Sequence, residues 1–428
     1  MTKRGWWLVG MNFLIPGSAQ VLAGNRKLGR FGLAATLLLW TLALVALVLY
    51  FVARGVLFSA VTMPAPLLVL QVLLAAYAVL WLVLTLDTIR LARLAKAYPA
   101  ARLLVAGLAV VSLVATAGPA SYGAYLFGVQ RGFVSTLFGT GPTADPVDGQ
   151  YNILLLGADA GPDRQGLRPD SITVVSIDAE TGETTMIGLP RNLVRAPFSA
   201  GSPMQSLYPD GYKRCNVDVC MLNSIYTEVQ LYSPELYPNA EAIGSQPGIE
   251  AMRDAAEGVT GLEIQYFGLI DMQGFADLID ALGGVTIDVK TRVAMGAGHD
   301  ENNNPVPIDA WIEPGVQNLD GFHALWYARS RYLTSDYDRM ARQRELQQAI
   351  IQQFDPLNVL TKFEGIADAG AQVVKTDIPQ SMLGYFTQLA MKARDQPVTE
   401  LAVTMPLTDP ENPDYDVVHA AIAAATAP

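Results

Sequence analysis

Acidic residues are almost missing from the first 126 positions. Asp87 stands alone against ten Lys and Arg, which gives that segment +9 and, because the whole chain carries −11, leaves −20 for the remainder. A chain divided this way is not one soluble body with an even surface. Histidine is scarce too: His299, His323 and His419 are the three in 428 residues, and they lack ligand spacing. This argues against a His-based zinc site, as the absence of Gly-x-Ser-x-Gly argues against a serine hydrolase of that type. A remainder at −20 offers no broad basic face, so no nucleic-acid partner is expected. Only two cysteines occur, Cys215 and Cys220. Their spacing fits a disulfide formed in an oxidising compartment, with two unpaired thiols as the alternative.

What the first part has instead is hydrocarbon. Residues 31–53, 67–89 and 103–127 are nearly uncharged runs, each as long as the roughly 20 residues an α-helix needs to cross a bilayer. Lys3, Arg4, Arg26, Lys27 and Arg30 precede the first run, and Arg90, Arg93, Lys96 and Arg102 fill the second loop, whereas residues 54–66 hold a single Arg. Basic loops stay cytoplasmic. Three crossings of the cytoplasmic membrane then put everything after about residue 128 outside. The stretch Gly5 to Leu22, apolar but broken at Pro16-Gly17, reads as interfacial or re-entrant. Residues 1–30 are thus a cytoplasmic or interfacial start, and residues 128–150, rich in Gly and Pro from Gly139 onward, a linker.

Beyond the linker the pattern changes to short β-rich runs and amphipathic segments. Asn152 to Leu156, Ile172 to Ile177, Thr184 to Leu189, Tyr266 to Ile270 and Val285 to Val289 predict strands; Gly248 to Glu257, Met272 to Leu282, Leu319 to Arg329 and Asp336 to Phe354 predict helices. The expected class is therefore α/β: transmembrane helices followed by an extracytoplasmic domain, residues 151–395, with a central mixed sheet flanked by helices. Residues 396–428 read as a loop leading to a helix packed on that domain.

Two constellations carry chemistry. The strand ending in Leu156-Gly157-Ala158-Asp159 and the run Arg168-Pro169-Asp170-Ser171, with Arg164 between, place two carboxylates at neighbouring strand ends. That arrangement suits a hard cation, Mg²⁺ or else Mn²⁺, completed by water and phosphate oxygens. The second is a set of arginines: Arg191 and Arg195 after a strand, Arg329 and Arg331 closing a helix, and Arg339, Arg342 and Gln343 on one face of the next. Six of the nineteen basic residues after Leu126 thus lie in three short segments of an acidic region, which points to a specific anion site. Guanidinium forks match phosphate oxygens, so a diphosphate is the natural guest. Salt bridges to Asp336, Asp338 and Glu345 are the plainer account of any single arginine.

These segments, together with Ile279-Asp280-Ala281-Leu282-Gly283-Gly284, Leu319-Asp320-Gly321, Ala324-Leu325-x-Tyr327-x-Arg329-x-Arg331 and Asp338-Arg339-x-x-Arg342-Gln343, resemble the LytR-CpsA-Psr enzymes of bacterial cell envelopes over about residues 150 to 355. The resemblance implies that Asp159 and Asp170 hold Mg²⁺ and that arginines, here Arg168, Arg191, Arg195, Arg329, Arg331 and Arg339 with Gln343, grip the pyrophosphate of a polyprenyl-linked glycan. It further implies an apolar tunnel for the lipid and transfer of the glycan 1-phosphate to a hydroxyl of peptidoglycan. Asp170 is the expected proton acceptor. Two departures stand out: Pro190-Arg191-Asn192 replaces the usual Pro-Arg-Asp, and Met221-Leu222-Asn223 replaces Lys-x-Asn, leaving Lys213 or Arg214 as substitutes. The first, with the local Cys pair, resembles actinobacterial members, whose glycan is arabinogalactan. Two other readings use the same residues: a polyprenyl-pyrophosphate phosphatase or pyrophosphatase, with water as acceptor, and a non-catalytic membrane regulator of the envelope.

Overall fold

The computed structural model describes residues 2–93, 98–139, 141–159, 168–296, 298–299, 305–353 and 374–427. The chain separates into two compact units, Met1–Val134 and Ser135–Pro428.

In the first unit the apolar runs become helices α3 (Arg26–Val52), α5 (Pro64–Ala92) and α6 (Pro99–Leu137), preceded by α1 (Thr2–Leu14) and α2 (Ser18–Ala23), with α4 (Arg54–Thr62) between α3 and α5. Three of these are long and apolar enough to cross a membrane. The helices outrun the apolar runs because flanking polar residues continue a helix until a breaker arrives. Thus α6 reaches Leu137 and takes up the first part of the segment read as linker, while most of the 54–66 loop is helical. The α1–α2 break comes at Pro16-Gly17, where Gly17 has φ +92 and an added Cβ would lie 2.4 Å from Gly29 O, so only glycine fits. Inside this unit the Gln20 amide donates to Leu84 O (2.8 Å) and Thr88 Oγ1 (2.9 Å), which satisfies polar groups that hydrocarbon would not.

The second unit is built on β1 (Gln150–Asp159), β2 (Arg168–Asp178) and β3 (Thr184–Leu189), an antiparallel meander, joined by β4 (Tyr266–Asp271) parallel to β1. The middle of β2 and all of β3 are buried on both faces, which explains their unbroken apolar sequence. One face is covered by α7 (Pro203–Leu207), α8 (Ile225–Tyr232) and α9 (Pro247–Thr260), whose Met204, Ile225, Val229, Met252 and Ala255 share a core with Leu154, Leu156, Val174 and Ile187 of the sheet. Each of the larger aliphatic side chains buried there contributes about 1.5–3 kcal/mol. The other face carries α10 (Met272–Leu282), α11 (Gly321–Arg329) and α12 (Asp336–Gln352). These helices have a second core of their own, formed with β5 (Val285–Val289), β6 (Val293–Met295), β9 (Ala310–Ile312) and β10 (Gly315–Leu319). The strand Val285 to Val289 therefore belongs to a separate β5–β10 ribbon and not to the central sheet. A two-residue ladder, β7 (Gly298–His299) with β8 (Pro305–Val306), lies between. Gly321 opens α11 against α10 so closely that a Cβ would sit 2.0 Å from Ala276 O.

Both sheet edges come from the end of the chain. β11 (Val374–Thr376) flanks β4, and β12 (Val398–Ala402) runs parallel to β3, so the order is β11-β4-β1-β2-β3-β12. Residues 396–428 are thus more than a loop and a helix: β12 is part of the sheet, and α14 (Tyr415–Ala425), which follows α13 (Leu383–Arg394), sends Val418 and Ile422 into the main core. Five residues at an edge, none of them fully buried and without alternation, give too weak a pattern to stand out in the sequence.

Candidate active site

A cavity of about 1100 Å³ lies between the second face of the sheet and helices α10 to α12. Leu155, Gly157, Gly268 and Ile270 line it from β1 and β4, and Phe275, Leu325 and Leu346 from the helices. Asp170, Arg329, Arg331, Asp336, Arg339 and Gln343 supply its charged and polar wall.

Asp170 is there because of a defect in the ladder. The β1–β2 register pairs Gly157 with Ser171 and Ala158 with Pro169, so Asp170 is the extra residue of a bulge, a device that re-aims a side chain. Its Oδ1 accepts from Arg191 Nη1 at 2.5 Å and its backbone carbonyl from Arg339 Nη2 at 3.2 Å. Asp159 closes β1 opposite Arg168, its side chain outside the described residues, as is all of Arg164.

Asp336, the first residue of α12, sits among three guanidiniums: Arg339 Nη2 at 2.9 Å, Arg191 Nε at 3.8 Å and Arg331 Nη1 at 3.9 Å. The sequence marked it only as a surface partner. Its place three residues before Arg339 on one helix was the available signal. Arg339 is 3% exposed, and burial pulls its guanidinium down from the usual arginine range while Asp336 and Asp170 oppose the shift. Four buried polar atoms on this wall have no hydrogen-bond partner: Thr334 Oγ1, Asp336 Oδ1, Arg339 Nε and Gln347 Oε1. Asp336 Oδ1 is close to Arg339 Nη2 by distance, but no N–H is aimed at it. An unmet buried group costs about 1–3 kcal/mol. Three such atoms beside an ion-paired carboxylate oxygen give this wall free hydrogen-bonding capacity that a polar guest can meet.

The remaining sequence candidates divide. Arg329 is exposed and stacks over Trp326, Cζ 4.5 Å from the ring centroid, and Arg331 is half exposed at the cavity mouth. Gln343 lines the cavity but donates its amide to Ala328 O at 3.1 Å. Arg342 is buried and points the other way, donating Nε to Tyr327 O at 2.9 Å and Nη2 to Ser330 O, so it satisfies the open carbonyls at the end of α11. Asp338 caps α12 and Glu345 accepts from Tyr327 Oη at 2.5 Å, so of the three acids offered as salt-bridge partners only Asp336 holds the cavity arginines. Arg168 and Arg195 are exposed and do not line the cavity; Arg195 donates to Asn412 Oδ1 at 2.6 Å. Lys213 pairs with Asp210 at 3.1 Å and, like Arg214, is absent from the wall. Cys215 and Cys220 are bonded. Just past that loop Asn223 N donates to Arg191 O (3.1 Å) and Leu222 N to Leu193 O (2.9 Å), which ties the loop to the backbone that carries Arg191.

A mixed-sheet α/β domain whose cavity joins an apolar wall to a partly buried cluster of arginines and carboxylates has the chemistry of an anion site, here in a chain with three helices able to span a membrane. The model of the LytR_cpsA_psr family matches residues 139–425, and the chain belongs to that family. Among curated proteins it is 26% identical over 262 residues to Biofilm regulatory protein A of Streptococcus mutans, covering 58% of this chain and 57% of that one. It is 26% identical over 265 residues to Cell wall biosynthesis protein LcpA of Corynebacterium glutamicum, covering 56% and 48%. It is 25% identical over 230 residues to the polyisoprenyl-teichoic acid–peptidoglycan teichoic acid transferase TagU of Halalkalibacterium halodurans, covering 53% and 61%. The matches span about half to three fifths of these relatives' own length.

Proposed function

We propose that this protein is a phosphotransferase of cell-wall assembly, moving a glycopolymer 1-phosphate from a polyprenyl pyrophosphate carrier to a hydroxyl of peptidoglycan. The observation that carries the reading is the cavity wall on which Arg331, Asp336 and Arg339 cluster around unmet polar atoms, continuous with apolar lining from the sheet and α10. A diphosphate fits the first and a hydrocarbon chain the second. Similarity to TagU, named a polyisoprenyl-teichoic acid–peptidoglycan teichoic acid transferase, supports it. The position of the basic loops supports a domain held outside the cytoplasmic membrane.

In this reading the acceptor oxygen attacks the phosphorus that bears the sugar, the anhydride P–O bond breaks, and polyprenyl phosphate leaves. Arg331 and Arg339, joined by Arg329, balance the charge on the phosphoryl oxygens; Arg191, which does not line the cavity, acts through Asp170 and Asp336, and Asp336 holds Arg191, Arg331 and Arg339 together. The proton of the acceptor hydroxyl passes to Asp170 Oδ, the carboxylate on the cavity wall beside Arg191. Carboxylate oxygens suit Mg²⁺ or Mn²⁺, a hard cation commonly held by one or two carboxylates with water and phosphate oxygens completing the shell. Asp170 and Asp159 would hold it, and it would supply charge neutralisation for the diphosphate.

The test is incubation of the full chain with a polyprenyl-pyrophosphoryl oligosaccharide, a divalent cation and peptidoglycan fragments. Glycan phosphodiester on the fragments is expected, and Asp170→Ala should remove it. Release of inorganic phosphate, or of free glycan phosphate without the adduct, would replace the reading with a phosphatase or pyrophosphatase.

A further inference from the structure

At the mouth of the cavity stands an aromatic ledge that the diphosphate reading leaves without a role. Arg331 is followed by Tyr332 and Leu333, both on the cavity lining and both exposed, Leu333 by 82% with φ +58. A leucine held in the left-handed region and turned to solvent is unfavourable twice over. Tyr332 packs edge-to-face on Trp311, with centroids 6.2 Å apart and planes at 72°. Trp311 belongs to β9 and pairs with Ala294 of β6, at the centre of a three-pair antiparallel ladder. Arg292, just before β6, lies on the indole with Cζ 3.7 Å from the ring centroid, and Glu313, itself exposed, is a distant ionic neighbour at 3.8 Å.

We propose that Trp311 and Tyr332, with Arg292 stacked on the indole, form the subsite for the sugar attached to the diphosphate; the proposal rests on the transferase reading above. A lipid-linked glycan is a linear object. With its lipid on the apolar wall and its diphosphate on Arg331 and Arg339, the first sugar leaves the cavity beside Arg331, where Tyr332 is the next residue and Trp311 the next ring. One face of a pyranose is all C–H and packs on an aromatic ring, whose π face is negative, while its hydroxyls need donors at the rim. Arg292 provides them from a guanidinium already ordered by stacking. The ledge therefore selects a sugar-bearing donor over a bare polyprenyl diphosphate.

The experiment compares two ligands on the full chain in nanodiscs, by calorimetry: a polyprenyl diphosphate without sugar, and the same lipid bearing a disaccharide. Trp311→Ala should weaken the second roughly tenfold and leave the first unchanged. Trp311→Phe, which keeps a ring, should recover most of the loss, and KM for peptidoglycan fragments should not move. Equal weakening of both ligands, no change in either, or a rise confined to the acceptor KM would each overturn the subsite. Wild-type binding to neither lipid would instead bring down the transferase reading together with the subsite, a result separate from all of these.

Discussion

The elbow between α11 and α12 holds arginines on two sides, and the two sides use the same side chain in opposite ways. Arg342, on the back, has its donors on the carbonyls of Tyr327 and Ser330 and closes the end of a helix. Arg339, one turn earlier, faces the cavity with Nε unmatched and a carboxylate shared with two other guanidiniums. Both are buried, and burial pulls both guanidiniums below the usual arginine range. The difference lies in what the donors meet, because a guanidinium whose hydrogens are matched inside the fold is architecture, and one left unmatched beside a cavity is available to a ligand.

The sharpest way to break this comparison is to remove Arg339. Arg339→Ala takes away charge-assisted hydrogen bonds worth about 1.5–3 kcal/mol each, so transfer should fall roughly ten- to a hundredfold or more. Stability should fall far less than activity: Arg339 Nη2 also donates to Asp170 O and Asp336 Oδ2, so some is lost, but Asp336 keeps Arg191 and Arg331. Arg339→Lys should rescue poorly, because an ammonium lacks the planar fork. Steady-state transfer with thermal melts of both variants reads this out, and activity that declines only in step with stability would erase the distinction.

Arg342→Ala is the mirror experiment. It leaves the carbonyls of Tyr327 and Ser330 buried without donors, a loss of about 1–3 kcal/mol. The urea midpoint should drop accordingly, while the protein that remains folded keeps Arg339 and its turnover. Full stability with lost activity would place Arg342 on the wrong side of the elbow.

The sequence showed the arginines as a set but not this division. Arg339, Arg342 and Gln343 share a helical face, and periodicity cannot tell which of them meets the end of α11 and which meets empty space. Arg195 looked equivalent to Arg191 from its place after the same strand, yet a backbone turn with φ +52 sends it to Asn412. The membrane-length runs and the strand Thr184–Leu189 were plain because length and an unbroken apolar run are local signals. Asp170 was legible as a carboxylate at a strand end, while the bulge that aims it depends on its partner strand. Trp311 carried no local signal at all, since its meaning comes from Tyr332, twenty-one residues on.

The smallest expected effect concerns how the elbow is fixed. Ser335 Oγ accepts from Asp338 N at 3.1 Å and Asp338 Oδ2 accepts from Ser335 N at 2.8 Å, a reciprocal cap on the first turn of α12, the turn that carries Asp336 and Arg339. Ser335→Ala should cost about 1 kcal/mol. For Asp338 the backbone N–H of Ser335, then its hydroxyl, hold the carboxyl below the ordinary aspartate range. A group whose pKa is lower folded than unfolded adds stability above its unfolded value, near 3.9, and loses that contribution as pH falls through the folded value. The gap between wild type and Asp338→Asn should therefore be open at pH 7, still open at pH 5, and narrowing at pH 3, and being on an exposed turn it should remain small. Ser335→Ala, which also removes an acceptor that does not titrate, should keep part of its deficit at every pH. Urea midpoints of the three proteins at those pH values decide it. A gap for Asp338→Asn that is constant from pH 7 to pH 3 would mean that charge plays no part in the cap, and that hydrogen bonds which do not titrate, such as Asp338 N to Ser335 Oγ, hold the turn presenting Asp336 and Arg339.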